Sequence, residues 1–215
     1  MKQALIVWGG WDGHEPKQCA RVIESWLAED DFAVTVADST RAFADPGLGR
    51  FDLIVPIVTM SVIGKDEAMQ LCKTVEAGTG LGGYHGGMGD SFRDCVDYQF
   101  MVGGQWVAHP GNIIDYRVDI LPTGDAITAG IKSFNYRSEQ YYMHVDPSNE
   151  VLATTTFNGD HAPWINGVTM PVVWKRKHGK GRVFYSSLGH VASEFKVPEM
   201  ATMLRRGLTW AARNT

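Results

Sequence analysis

The chain has 215 residues, 44% hydrophobic and 20% charged, with a formal net charge of -4. That length buries a full core and suits one compact domain, so a single domain over residues 1–215 is expected. The negative charge is spread along the chain without a basic block, which argues against nucleic acid as a partner and for small, neutral ligands.

The first apolar run, Ala4 to Trp8, is too short for a signal-peptide core or a membrane span. It reads as a buried strand feeding the loop Gly9-Gly10-Trp11-Asp12-Gly13-His14-Glu15. Pro16 opens a helix through Glu29, with Cys19, Val22, Ile23, Trp26 and Leu27 on one face. Phe32 to Ala37 and Leu53 to Val58 read as strands, and Lys65 to Ala77 as an amphipathic helix carrying Ala68, Leu71, Cys72 and Val75 inward. Strands alternating with helices favour a mainly parallel sheet covered on both faces, because parallel strands need crossovers.

Thr79 to Tyr84 is the next strand, and it ends in Gly82-Gly83-Tyr84-His85-Gly86-Gly87. Small residues around one apical side chain are the pattern of a strained strand-to-helix elbow, where a Ser or Cys nucleophile usually stands. Here the apex is His85, an imidazole suited to moving protons or binding a metal rather than to acyl-enzyme chemistry. Ser91 resembles the cap of a following helix with Phe92, Val96, Gln99 and Phe100 along one face. Asn112 to Leu121, Val151 to Thr156, Pro171 to Trp174 and Arg182 to Ser186 read as further strands, and Pro198 to Ala212 as a closing helix. His178, in a basic Gly-containing stretch between two of these strands, suits a solvated tight turn.

In an open parallel sheet, ligands bind beyond the carboxyl ends of the strands. His14 and Glu15, His85, and His190 all follow strands there, with His109 in a loop beside Trp106. If the segment is extended, Glu139 and Tyr141 share one face, a pairing suited to a hydroxylated substrate. Trp8, Trp11, Trp106, Trp164 and Trp174 suit stacking on sugar faces. Cys19, Cys72 and Cys95 are odd in number, lack C-x-x-C spacing and fall on expected helices, which fits a reducing cytoplasm and neither a disulfide framework nor a cysteine zinc site.

His14-Glu15, Gly82-Gly83-Tyr84-His85, Val102-Gly103-Gly104 with His109-Pro110, and Glu139-x-Tyr141 form one part of a longer pattern. It continues through Pro171-Val172-Val173-Trp174, Gly179-Lys180-Gly181-Arg182-Val183-Phe184-Tyr185, Leu188-Gly189-His190 and Trp210-Ala211. Together they resemble the ThuA-like, or trehalose-utilisation, family over nearly the whole chain. The resemblance implies a flavodoxin-like three-layer α/β sandwich of the class I glutamine amidotransferase type, with the amidotransferase cysteine lost at the elbow, where His85 stands. It also implies a role in the metabolism of trehalose and related disaccharides or keto-sugars. Two departures bear on the substrate: Ser138 stands where relatives often carry aspartate before Glu-x-Tyr, and Asp125-Ala126-Ile127-Thr128 replaces their His-Pro before an Ile-Thr turn.

The expected activity is therefore that of a sugar or keto-sugar isomerase, lyase or hydrolase, with His85 and Glu139 as the acid/base pair. His14, Glu15, His109, Tyr141 and His190 are expected to bind substrate, and His14, His85 and His190 are candidate ligands for a divalent Zn, Ni or Mn ion. The expected partner is a small-molecule sugar, with no membrane and with self-association into a homo-oligomer left open. The alternative is a non-catalytic sugar-binding or regulatory protein.

Overall fold

A computed structural model describes residues 1–213. Strand β1 (Lys2–Gly10) is followed by α1 (Pro16–Glu29), β2 (Phe32–Ala37), β3 (Leu53–Thr59), α2 (Lys65–Ala77) and β4 (Gly80–Tyr84). Two short helices come next, α3 (His85–Gly89) and α4 (Val96–Val102). The chain then lays down β5 (Gly104–Ala108), β6 (Ile113–Ile120), β7 (Phe134–Glu139), β8 (Tyr142–Val145) and β9 (Glu150–Thr156). β10 (Thr169–His178) and β11 (Gly181–Ser186) form a hairpin before α5 (Pro198–Ala211).

Nine strands form one sheet in the order β2-β1-β3-β4-β11-β10-β9-β6-β7, and β5 pairs with β8 in a small ribbon. From β2 to β11 the neighbours are parallel, and from β11 to β7 they are antiparallel. The uninterrupted apolar run in β1 is explained by helices on both faces, since successive side chains point to opposite sides. Ala4 and Ile6 join Ile23 and Leu27 of α1 and Met203, Leu204 and Leu208 of α5 in one core. Leu5 and Val7 join Leu71 and Val75 of α2 and Tyr98 and Met101 of α4 in the other. These are the three layers of the flavodoxin-like sandwich, with the antiparallel strands as an extension of its parallel half. No helix among the described residues is long and apolar enough to cross a membrane.

The helix expected from Ser91 is not there. The chain turns helical at His85 itself, and Ser91 donates its hydroxyl to the Gly87 carbonyl at 2.8 Å. Phe92 has φ 52° and ends the possibility of a continuous helix, which restarts only at Val96. The buried face of α4 is Tyr98, Met101 and Val102, while Val96 and Phe100 are exposed. Cys95 accordingly precedes that helix rather than lying in it.

Candidate active site

Four parallel strands deliver their carboxyl ends to one place. β1 runs out into a single helical turn that carries His14, and β3 ends at Thr59. β4 ends against His85, and β11 is followed by Ser187 and then His190. The fifth contributor, Glu139, comes from β7 at the far edge of the sheet. β7 stops there, and the chain passes through Gln140 and Tyr141 into the ribbon strand β8.

His85 has φ 44°, a left-handed conformation that costs a residue with a Cβ about 1–3 kcal/mol and concentrates at functional sites. Its ring is almost wholly enclosed, 1% exposed. Nδ1 lies 2.7 Å from the Ser187 carbonyl oxygen, which can only accept, so Nδ1 carries the proton. Tyr141 stacks on the ring at 4.1 Å between centroids, and the Tyr185 hydroxyl donates to the His85 carbonyl at 3.0 Å. Burial is the largest influence on the imidazole and, despite the adjacent carboxylate, pulls its pKa down from 6.5 to about 4. At neutral pH the ring is therefore uncharged, with a bare lone pair on Nε2.

That lone pair faces Glu139 Oε2 at 3.1 Å. His190 Nδ1 is 3.3 Å from the same oxygen and 3.3 Å from His85 Nε2, while His14 Nε2 is 3.8 Å from Oε2. His14 is held from behind by a 2.9 Å hydrogen bond between Nδ1 and the Thr59 hydroxyl. Burial alone would raise the Glu139 carboxyl, but His14 and His190 outweigh it and hold the group well below the usual carboxylate range. Burial would likewise lower His190, yet the Glu139 carboxylate reverses this and raises it. His14, His85, Glu139 and His190 thus place one donor atom each within 4.8 Å of one another.

The remaining expected site residues stand around this cluster. His109 lies at the rim, its Nε2 3.7 Å from Glu139 Oε1 and its ring parallel to Tyr141. Tyr141 is buried between the two imidazoles, and it stands beside the cluster because the strand ends at Glu139, not through shared strand alternation. Glu15 turns its carboxylate to the backbone N–H of Ala192 at 2.9 Å. Trp11 is half exposed and meets the His14 ring edge-on at 4.8 Å, whereas Trp174 is core and donates Nε1–H to the Val102 carbonyl. Thr59 and Ser187 also support the site, and the only trace of them in the sequence is that each lies at or just beyond a strand end; Glu194, in the helical turn Ala192–Lys196, accepts the His190 backbone N–H.

No cysteine side chain is among the four cluster groups, although the Cys19 thiol donates to the His14 backbone carbonyl at 3.5 Å. Burial pushes the Cys19 thiol up to about 11 and the Cys72 thiol up to about 12, so both stay protonated and poor as nucleophiles.

A family profile described as trehalose utilisation (ThuA) matches residues 3–211 of this chain. Among solved structures, a ThuA-like protein from Bacteroides uniformis ATCC 8492 superposes with a TM-score of 0.80 at 19% identity, covering 98% of this chain and 91% of that one. A ThuA-like protein from Parabacteroides merdae ATCC 43184 gives 0.77 at 16% identity, with 98% and 89% covered. A cold-adapted β-galactosidase from Rahnella sp. R3 gives 0.58 at 16% identity, matching 99% of this chain but 32% of its own length. None of the curated proteins matches. At these identities the structures attest the fold.

Proposed function

The chain belongs to the ThuA, or trehalose-utilisation, family, and on that premise we propose that it is an enzyme that transforms a disaccharide or keto-sugar by metal-assisted chemistry at the imidazole–carboxylate cluster. The observation that carries this reading is the 3.1 Å approach of two acceptors, His85 Nε2 and Glu139 Oε2. With Nδ1–H committed to Ser187 and the ring neutral, no proton belongs between them, and a shared cation satisfies both. In a tetrahedral site with metal–ligand bonds of about 2.0–2.1 Å the ligand atoms are separated by ~3.3 Å. Four of the six separations here, 3.1, 3.3, 3.3 and 3.8 Å, fall around that value, and all six lie within 4.8 Å. The donor set, three imidazole nitrogens and one carboxylate oxygen, suits zinc, nickel or manganese.

His14, His85, His190 and Glu139 would hold the ion, and Ser187 and Thr59 orient two of the imidazoles through their other nitrogens. The chemistry such an ion would supply is polarisation of a sugar carbonyl or hydroxyl. The proton next to a keto-sugar carbonyl is acidic, and His109, partly exposed beside Oε1, is the group left free to take it. Trp11 offers its face to a sugar ring at the mouth. Elemental analysis of gently purified protein, with a sugar and keto-sugar panel assayed before and after chelation, tests the proposal. Stoichiometric metal and chelator-sensitive turnover are expected. Substoichiometric metal with unchanged turnover removes the ion and leaves His85 and Glu139 as an acid/base pair. Saturable sugar binding without product leaves a binding protein.

Two further results are expected of variants. A Cβ on Gly86 would stand 2.6 Å from the His14 ring, so Gly86→Ala pushes that imidazole outward while alanine favours the local helix. Metal affinity is expected to fall about 10–100-fold with near-normal folding, as for other disturbances of a ligand's support; an unchanged dissociation constant would remove His14 from the site. Replacing Cys19, Cys72 and Cys95 together by alanine is expected to leave turnover near wild type, with roughly 1 kcal/mol lost from packing. A folded but inactive single-cysteine variant would contradict it.

A further inference from the structure

We propose that Glu194 is a positioning residue that sets the separation of Glu139 from His190; its consequence for catalysis rests on the metal-centred reading above. One oxygen of Glu194, Oε2, accepts three hydrogen bonds: the Tyr136 hydroxyl at 2.5 Å, the Ser138 hydroxyl at 3.1 Å and the His190 backbone N–H at 2.9 Å. Tyr136 and Ser138 lie on β7, the strand that ends in Glu139. His190 lies in the loop beyond β11, which sits four strands away in the same sheet. Nothing in the ladder of backbone hydrogen bonds joins β7 to that loop directly. The Glu194 carboxylate does.

The strap is built of buried parts. Ser138 is fully enclosed and Tyr136 is 3% exposed, so removing the acceptor leaves their hydroxyls without it inside the protein. Gly189 has φ +103°, which turns the backbone so that the His190 N–H meets Glu194. On the other side Glu15 Oε2 takes the Ala192 N–H, so carboxylates hold the loop at two amides with a single residue, Val191, between them. The 3.3 Å from His190 Nδ1 to Glu139 Oε2 is thereby a property of both straps and of β7, rather than of the two side chains alone. Ser138 has a function in this arrangement as well. A hydroxyl at that position donates to Glu194, whereas a carboxylate there would face another carboxylate.

The test uses the full-length protein and Co²⁺ as probe, with affinity from chelator competition and coordination from the visible absorption of the bound ion. Glu194→Ala is expected to weaken Co²⁺ binding about 10–100-fold and to change the absorption bands, as disturbing groups behind metal ligands does. Glu194→Gln, whose amide oxygen still accepts the His190 N–H, is expected to recover most of the loss. Wild-type affinity and bands in Glu194→Ala would overturn the proposal and leave Glu194 as an anchor of the loop only. Should that variant fail to fold, Ser138→Ala removes one donor without stranding a charge: a several-fold loss with altered bands supports the strap, and wild-type values overturn it. If the wild-type protein takes up no Co²⁺, the metal reading has failed by itself. The ¹H–¹⁵N imidazole signals of His85 and His190 in Glu194→Gln and Glu194→Ala then decide the positioning role, a change from wild type supporting it and identity overturning it.

Discussion

A His85→Asn variant is expected to fold and to keep no more than about a thousandth of wild-type turnover, the scale of loss when a positioned proton-handling or electrophilic group is removed. Asparagine is chosen because His85 sits at φ 44°, a conformation asparagine enters more readily than most residues with a Cβ. Its side-chain amide replaces the imidazole as a donor toward Ser187 but places no aromatic nitrogen against Glu139. Metal content should fall with turnover. Circular dichroism and denaturant midpoint report the fold, and the keto-sugar assay reports activity. Full activity with depleted metal would show that His85 is a packing residue under Tyr141 and would end the elbow's claim to the chemistry.

The second large effect concerns acid. His85 titrates at about 4 in the folded protein, against 6.5 ordinarily, because burial penalises its charged form. Between these values the unfolded chain binds a proton that the native chain refuses, so stability present above pH 6.5 is lost as pH falls towards 4. The shift corresponds to roughly 3 kcal/mol, a large part of a typical domain's total. Two neighbours modify the curve. His190, raised by Glu139, favours the folded state below its ordinary pKa and loses that contribution as pH rises. Glu139, held low, adds a further loss only as pH falls below the ordinary carboxylate range. Urea unfolding of chelator-treated protein from pH 7.5 to 4.5 should therefore show declining stability, and His85→Asn should flatten the decline. A wild-type curve that is level between pH 6.5 and 4.5 would refute the assignment of a neutral, enclosed ring.

The parallel half of the fold was legible because its determinants are local. The apolar runs of β1 and β3, the faces of α1 and α2, and Pro16 and Pro198 at helix starts all announce themselves within a few residues. The glycine-ringed His85 likewise marks the elbow without knowledge of the rest. What escaped was set by tertiary packing. α3 consists of His-Gly-Gly-Met-Gly, a composition with poor helix propensity, and is held by the sheet beneath it. β5 and β8 are short and weakly patterned, and the alternation of β7 ends in the polar Ser138-Glu139, so Glu139 and Tyr141 could be paired by spacing but not placed on a strand end and a break. Thr59, Ser187 and Glu194 stayed unread for a different reason. Ser187 acts through its backbone and the others act through a neighbour's side chain or amide, and neither leaves a spacing pattern.

The contacts that close the cluster join residues far apart in the chain: 45 positions from His14 to Thr59, 54 from His85 to Glu139 and 105 from His85 to His190. A nascent polypeptide therefore has no such site until His190 has left the ribosome, and a chain that is still collapsing has only scattered imidazoles. Contacts of such long sequence separation carry the steepest loop-closure cost and form late. An ion that recognises only the finished constellation stabilises the native state and not the folding barrier, so it lengthens the lifetime against unfolding while leaving the refolding rate where it was. On the metal-centred reading, loading would be the last event of maturation and would work as a lock on a structure already made.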